Sequence, residues 1–184
     1  MIDHLAVQFR ATVAEHAGRP ATRVQTDKGW CVQTFGQFRR RIDEVAQGLL
    51  DRGIEPGDRV GLFANNCPQW SEVDFAAATI RAVPVPIYST STPQQIRHIA
   101  ADSGLRLMIV GGQSEGERVL QVAGELPALE TIVTLRPWRG MPKHIRTLDD
   151  LRTDPNPSTL EARLAGASGD DLASIIYTSG TTGE

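Results

Sequence analysis

The chain has 184 residues, 40% of them hydrophobic and 22% charged, with a formal net charge of −3. That length can bury a substantial core as one medium-sized domain or as part of a larger one. Charges of both signs are interleaved without a basic or acidic tail, which argues against nucleic acid or an anionic membrane surface as partner.

Cys31 and Cys67 stand far apart in sequence with no second Cys or His at ligand spacing. They read as free thiols of a reducing compartment and not as a metal site. Asp3, His4, Arg10 and Glu15 interrupt any apolar signal segment, and no apolar run approaches a membrane span. A cytoplasmic location is expected. The run Arg39-Arg40-Arg41 reads as a solvated face, with attraction to the inner membrane face as the weaker alternative.

In chain order, Leu5, Val7, Phe9 and Val13 predict an amphipathic helix. Extended runs at 22–26 and 30–34, flanking Asp27-Lys28-Gly29, predict a hairpin. A helix is then expected from Phe35, Phe38, Ile42, Val45, Ala46 and Leu49, opened by a Thr34–Gln37 capping box and closed at Gly53. Strands are expected at 59–64, 83–88, 105–110, 131–135 and 172–177. Pro84 and Pro86 put the second of these at a strand end or sheet edge. Helices are expected from Pro68 to about Ile80, from Thr92 (with Gln95 as capping partner) to Gly104, and from Ser114 (with Glu117) to about Leu126. Between Pro137 and Pro157 the sequence predicts loop with one short helix near Thr147, and Ser158 with Glu161 starts the last helix. Strands alternating with helices predict an α/β fold, a mainly parallel sheet flanked by helices.

One segment carries chemistry. The apolar run ending at Tyr177 passes into Thr178-Ser179-Gly180-Thr181-Thr182-Gly183. Glycines let loop amides approach a ligand closely, and successive amides form an anion-binding concavity. Hydroxyls add neutral donors and can offer oxygen to Mg²⁺. The segment is neither a GxxxxGK[ST] loop nor a dinucleotide GxGxxG, for which Gly111, Gly112 and Gly116 are wrongly spaced. Composition leaves two readings open here, a phosphate cradle and an idle solvated loop. His4, His16, His98 and His144 form no cluster and read as surface residues. Trp30, Trp70 and Trp138 read as packing or loop anchors, with an acyl site as the alternative.

Tyr177 to Gly183 resembles the phosphate loop of the adenylate-forming enzymes, which include acyl-CoA synthetases, luciferases and adenylation domains. The segment from Leu50 to Asn66 is similar to that family's first core segment. Pro86-Ile87-Tyr88, Ser91-Thr92, Gln95 and Asp102-Ser103-Gly104 resemble the long-chain fatty-acid–CoA ligase branch. The resemblance implies that residues 1–184 are the N-terminal portion of the AMP-binding domain. It implies ATP and Mg²⁺ contacts at Thr178, Ser179, Gly180, Thr181, Thr182 and Gly183, with Thr178 as the candidate Mg²⁺ ligand. Fatty acid, ATP and CoA would be the substrates: the carboxylate attacks the α-phosphorus of ATP, and the CoA thiol then displaces AMP.

The family loop continues from a variable residue into Pro-Lys-Gly, whereas Glu184 is the last residue here. With the loop lysine, the later nucleotide motifs and the C-terminal domain all lacking, a truncated and inactive piece is expected, with no cofactor tightly bound. Two other readings stay open: a self-contained nucleotide- or phosphate-binding module, and a dimerisation element forming a homodimer.

Overall fold

The computed structural model describes residues 4–178. Helix α1 (Leu5–His16) leads to a hairpin of β1 (Pro20–Thr26) and β2 (Gly29–Thr34), then α2 (Phe35–Asp51). The alternating part follows: β3 (Arg59–Phe63), α3 (Pro68–Thr79), β4 (Val83–Ile87), α4 (Pro93–Ser103), β5 (Leu105–Val110) and α5 (Gln113–Leu120). After a short 3₁₀ turn come β6 (Thr131–Thr134), β7 (Arg146–Thr147), α6 (Leu148–Leu151) and α7 (Pro157–Ala165). Strands β3 to β7 form one sheet in the order β4-β3-β5-β6-β7, every pair parallel. The hairpin is a separate antiparallel ribbon.

Alternation along the strands divides the core between the two faces of the sheet. Val60 and Leu62 of β3 and Leu107 and Ile109 of β5 join Ile42, Val45 and Leu49 of α2 and Val73, Ala76 and Ala77 of α3. Phe63, Met108 and Val110 turn the other way, to Ile96 and Ile99 of α4 and Val119 of α5. On the first face Phe9, Phe38 and Phe75 form an aromatic cluster with centroids 4.6–6.1 Å apart, docking α1 on α2 and α3. Each such pair contributes on the order of 1 kcal/mol beyond its buried area. Closest approach falls at Gly48, where an added Cβ would lie 1.7 Å from the Leu151 carbonyl oxygen.

Helix ends follow local chemistry. Thr34–Gln37 and Thr92–Gln95 both form reciprocal capping boxes, the latter with Pro93 in the first turn. Gly53 (φ 73°) and Gly104 (φ 64°) end α2 and α4 in the left-handed region.

Four expectations need correction. Helix α5 begins one residue before Ser114, with Gly112 at its cap position and no side-chain cap. The Gly111-Gly112 turn starts it early, leaving Ser114 within the first turn. It stops at Leu120 and not near Leu126, since Gly124 and Pro127 follow closely. Asn156, not Ser158, caps α7: its side chain accepts from the Thr159 amide, and Pro157 takes the first helical position. The short helix near Thr147 is present and capped by Thr147, but two residues of strand, β7, precede it.

The largest correction concerns 172–177, which forms no strand. Ile175 donates its amide to the Pro84 carbonyl at 3.1 Å, the one backbone bond between this segment and β4 among the described residues. In a parallel ladder a residue's N–H and C=O face the same neighbour. The Val83 amide faces β3, bonding Asp58 O at 2.8 Å, so Pro84 and Pro86 face outward. Having no N–H, they leave the outer edge of β4 with acceptors alone. Half of any ladder there is missing, and the segment stays extended without becoming a strand. Nor is it buried on both faces: Leu172 and Ile176 are 66% and 62% exposed, and Ile175 and Tyr177 pack inward.

Candidate functional site

The site is built at the carboxyl end of the sheet. The chain order reverses between β3 and β5, where open α/β sheets commonly bind ligands. Here the two chains stay close past the strand ends: the Gly111 amide bonds Phe63 O at 2.9 Å, and an added Cβ on Gly111 would come within 3.1 Å of the Ala64 Cβ. The open space lies one strand over, above β3 and β4. There Ala64, Asn65, Asn66, Trp70, Tyr88, Ser89 and Ile176 line a cleft of about 730 Å³. Ser89 donates to Asn65 Oδ1 at 2.8 Å, joining the two loops that form its rim.

The 172–178 segment enters this region along the edge of β4. Tyr177 turns toward α4, where its hydroxyl donates to the Asp102 carboxylate and its ring stands edge-on to His98 at 6.2 Å. Burial, reinforced by the Asp102 carboxylate, pushes the phenol up to about 12, so it stays a neutral donor. Ile176, on the opposite side of the extended chain, faces the cleft. Thr178 follows, exposed to solvent. The candidate residues Ser179, Gly180, Thr181, Thr182 and Gly183 lie outside the described residues.

A larger cleft, about 980 Å³, lies between the hairpin and α2, α3 and α6, and includes Cys31 and Cys67 in its lining. Its central charges pair with one another. Arg152 bridges Glu72 at 2.6 Å and Glu44 at 3.5 Å, and Arg40 and Arg41 also reach Glu44. Those cations, led by Arg40, hold the Glu44 carboxyl below its usual range despite the opposing cost of burial. The lining as a whole carries four arginines (Arg40, Arg41, Arg136 and Arg152) against three carboxylates (Glu44, Glu72 and Asp149), and its carboxylates are all held in internal ion pairs.

Among the other candidates, His16, His98 and His144 lie wholly or partly at the surface, as expected, but His4 is buried, 8% exposed. Its Nε2 stands 3.8 Å from Asp171, a partner too distant in sequence to foresee. Burial lowers the His4 pKa, and Asp171 partly opposes this. Arg39, Arg40 and Arg41 ride the solvent side of α2, paired with Asp43 and Glu44. Trp30 is exposed beneath the Arg23 guanidinium, Trp138 packs on Gly116, and Trp70 lines the cleft. Among the described residues no group of three or more His, Cys, Asp or Glu could hold a metal ion, and no helix is long and apolar enough to cross a membrane.

With this geometry established, three comparisons are informative. A long-chain-fatty-acid–CoA ligase of Mycobacterium bovis, FadD15, is 34% identical over 157 residues, 85% of this chain and 26% of its own. The acyl-CoA ligase sidI of Aspergillus fumigatus is 34% identical over 162 residues, 82% of this chain and 27% of its own. This chain therefore spans about a quarter of the length of these curated relatives. The crystal structure of the anthranilate CoA ligase AuaEII, in complex with anthranoyl-AMP, superposes with a TM-score of 0.77 at 21% identity, covering 99% of this chain and 32% of that one. At that identity the agreement concerns the fold. The family model for AMP-binding enzymes matches residues 9–184, and the chain belongs to that family.

Proposed function

We propose that this chain forms the leading part of the nucleotide-binding domain of an AMP-forming acyl-CoA synthetase acting on long-chain fatty acids. One observation carries the reading: the 172–178 segment runs beside β4 of a parallel sheet and ends in the exposed Thr178, from which the sequence continues as Ser179-Gly180-Thr181-Thr182-Gly183, in an AMP-binding family member. Amides and hydroxyls of that run would hold the β- and γ-phosphates of ATP in line and spread their charge as a fatty-acid carboxylate attacks the α-phosphorus. The exposed Thr178 hydroxyl is a hard oxygen donor suited to Mg²⁺, which favours one or two protein oxygens plus phosphate and water. The ion would supply charge neutralisation at the phosphates. CoA would then take the acyl group and release AMP.

The long-chain preference is supported by the relatives' names and by Pro86-Ile87-Tyr88, all three of which line the cleft. The reading is tested in the longer polypeptide that carries this sequence. Thr181→Val and Thr182→Val each remove one hydroxyl while retaining size and branching. Pyrophosphate release from ATP and palmitate is expected to fall on the order of 10²-fold in each variant. Wild-type rates in both would overturn the assignment.

A further inference from the structure

Helix α3 ends in a hydrogen-bond pattern that ordinarily selects glycine. The Ala82 amide bonds Ala77 O at 2.9 Å and the Arg81 amide bonds Ala78 O at 3.1 Å, a Schellman pair that places residue 81 in the left-handed region at φ 64°. After α2 the same pattern is made by Gly53, whose amide bonds Leu50 O at 2.8 Å while Ile54 bonds Leu49 O at 3.1 Å. Arg81 is the one non-glycine residue with positive φ among the described residues. A side chain kept where its own Cβ is disfavoured directs attention to what its far end does.

That far end reaches Asp171. Arg81 Nε donates to Oδ2 at 2.7 Å and a terminal guanidinium nitrogen donates to Oδ1 at 3.0 Å, a two-point pair that fixes direction as well as distance. Asp171 Oδ2 also accepts from the Ser168 amide at 3.2 Å and stands 3.8 Å from His4 Nε2. Arg81 is itself tied to the sheet, because its carbonyl accepts from the Gly57 amide at 2.8 Å and β4 starts two residues later. The next link between the two segments is the Ile175 amide on Pro84 O, four residues past Asp171 and three past Arg81. Since the outer edge of β4 offers no amides, a backbone ladder cannot set the register of residues 172–178 there. The side-chain fork can.

We propose that Arg81 and Asp171 are positioning residues: their ion pair fixes the register of the 172–178 segment along β4, and so the height at which Thr178 stands beside the sheet. Its consequence for nucleotide rests on the phosphate-loop reading above, whereas the register itself does not.

The test separates the two. In the 184-residue chain, amide hydrogen exchange at Ile175 is compared with Leu62 in the centre of β3 for wild type, Arg81→Gly, Arg81→Lys and Asp171→Asn. Arg81→Gly removes the fork and relieves the left-handed backbone. Its thermal midpoint is expected to hold or rise, while exchange at Ile175 accelerates roughly tenfold or more and Leu62 does not change. Arg81→Lys keeps charge without the fork and is expected to restore Ile175 only in part. Asp171→Asn should loosen Ile175 as Arg81→Gly does. Unchanged protection at Ile175 in Arg81→Gly overturns the proposal, as does an equal loss at Ile175 and Leu62, which would mark a general stabilising role. In the longer polypeptide, Arg81→Gly is expected to raise KM for ATP more than it lowers kcat. If Ile175 loosens while KM for ATP stays at the wild-type value, the register device stands and the phosphate-loop reading fails.

Discussion

At the scale of single residues, two aspartates pull the pH dependence of stability in opposite directions. Asp74, on α3, is half-buried, and burial alone raises its pKa to about 6. The folded chain therefore binds this proton more tightly than the unfolded chain does. The resulting stabilisation is complete below the ordinary aspartate value near 3.8 and is lost as pH rises through about 6. Asp74→Asn is expected to flatten that slope and to raise stability at pH 7.5 by roughly 1–3 kcal/mol, as measured by urea unfolding at pH 4.5 and 7.5. An unchanged difference between the two pH values would show that Asp74 ionises freely. Asp171 behaves oppositely. The bond from Arg81 holds its pKa below the ordinary value, so its contribution is present at neutral pH and fades as pH falls through the folded value. Neither environment is legible in sequence. Asp74 lies within a regular apolar helix pattern, and the contacts of Asp171 with Arg81 and His4 join positions remote in the chain.

At the scale of elements, the legible features were those whose cause is local. Both Thr–Gln capping boxes, the apolar stripe of α2 and the glycine helix ends lie within a few residues of their effect. The edge position of β4 was legible for the same reason, since Pro84 and Pro86 exclude a central strand. Where sequence failed, a neighbour decided. Residues 172–177 have strand composition, but a strand requires a partner with donors to offer, and the β4 edge has none. The end of α3 near Ile80 was legible, but its Schellman pattern was not, because an arginine stands where that pattern ordinarily has glycine. Element packing also gives a mutational expectation at Gly48. An alanine there gains about 1 kcal/mol of helix propensity, but its Cβ meets the Leu151 carbonyl, which must move. Gly48→Ala is expected to destabilise by about 3 kcal/mol through overpacking, whereas Gly124→Ala, in open space, should change little. Equal midpoints in urea would show that α6 yields without cost.

At the scale of the whole molecule, a chain spanning about a quarter of its relatives' length carries two lysines, Lys28 and Lys143, both distant in sequence from the loop. Charge developing on phosphate would thus lack a loop cation, and positioning alone is insufficient for phosphorus chemistry. The 184 residues with ATP, Mg²⁺ and palmitate are expected to release no pyrophosphate above blank in a coupled assay. Chain-dependent release would overturn that. The fold class was legible at this scale because strand–helix alternation dictates a parallel sheet, but the close approach of the chains after β3 and β5 was not, since it depends on Ala64 meeting Gly111. The proline-bearing margin of β4 has a consequence for molecules in a crowd. Indefinite stacking of strand upon strand requires each margin both to give and to receive protons, so that every added copy recreates the template for the next. A margin that only receives can accept a donor segment of its own chain and yet cannot propagate, so fibre growth from that side of the sheet ends where it begins.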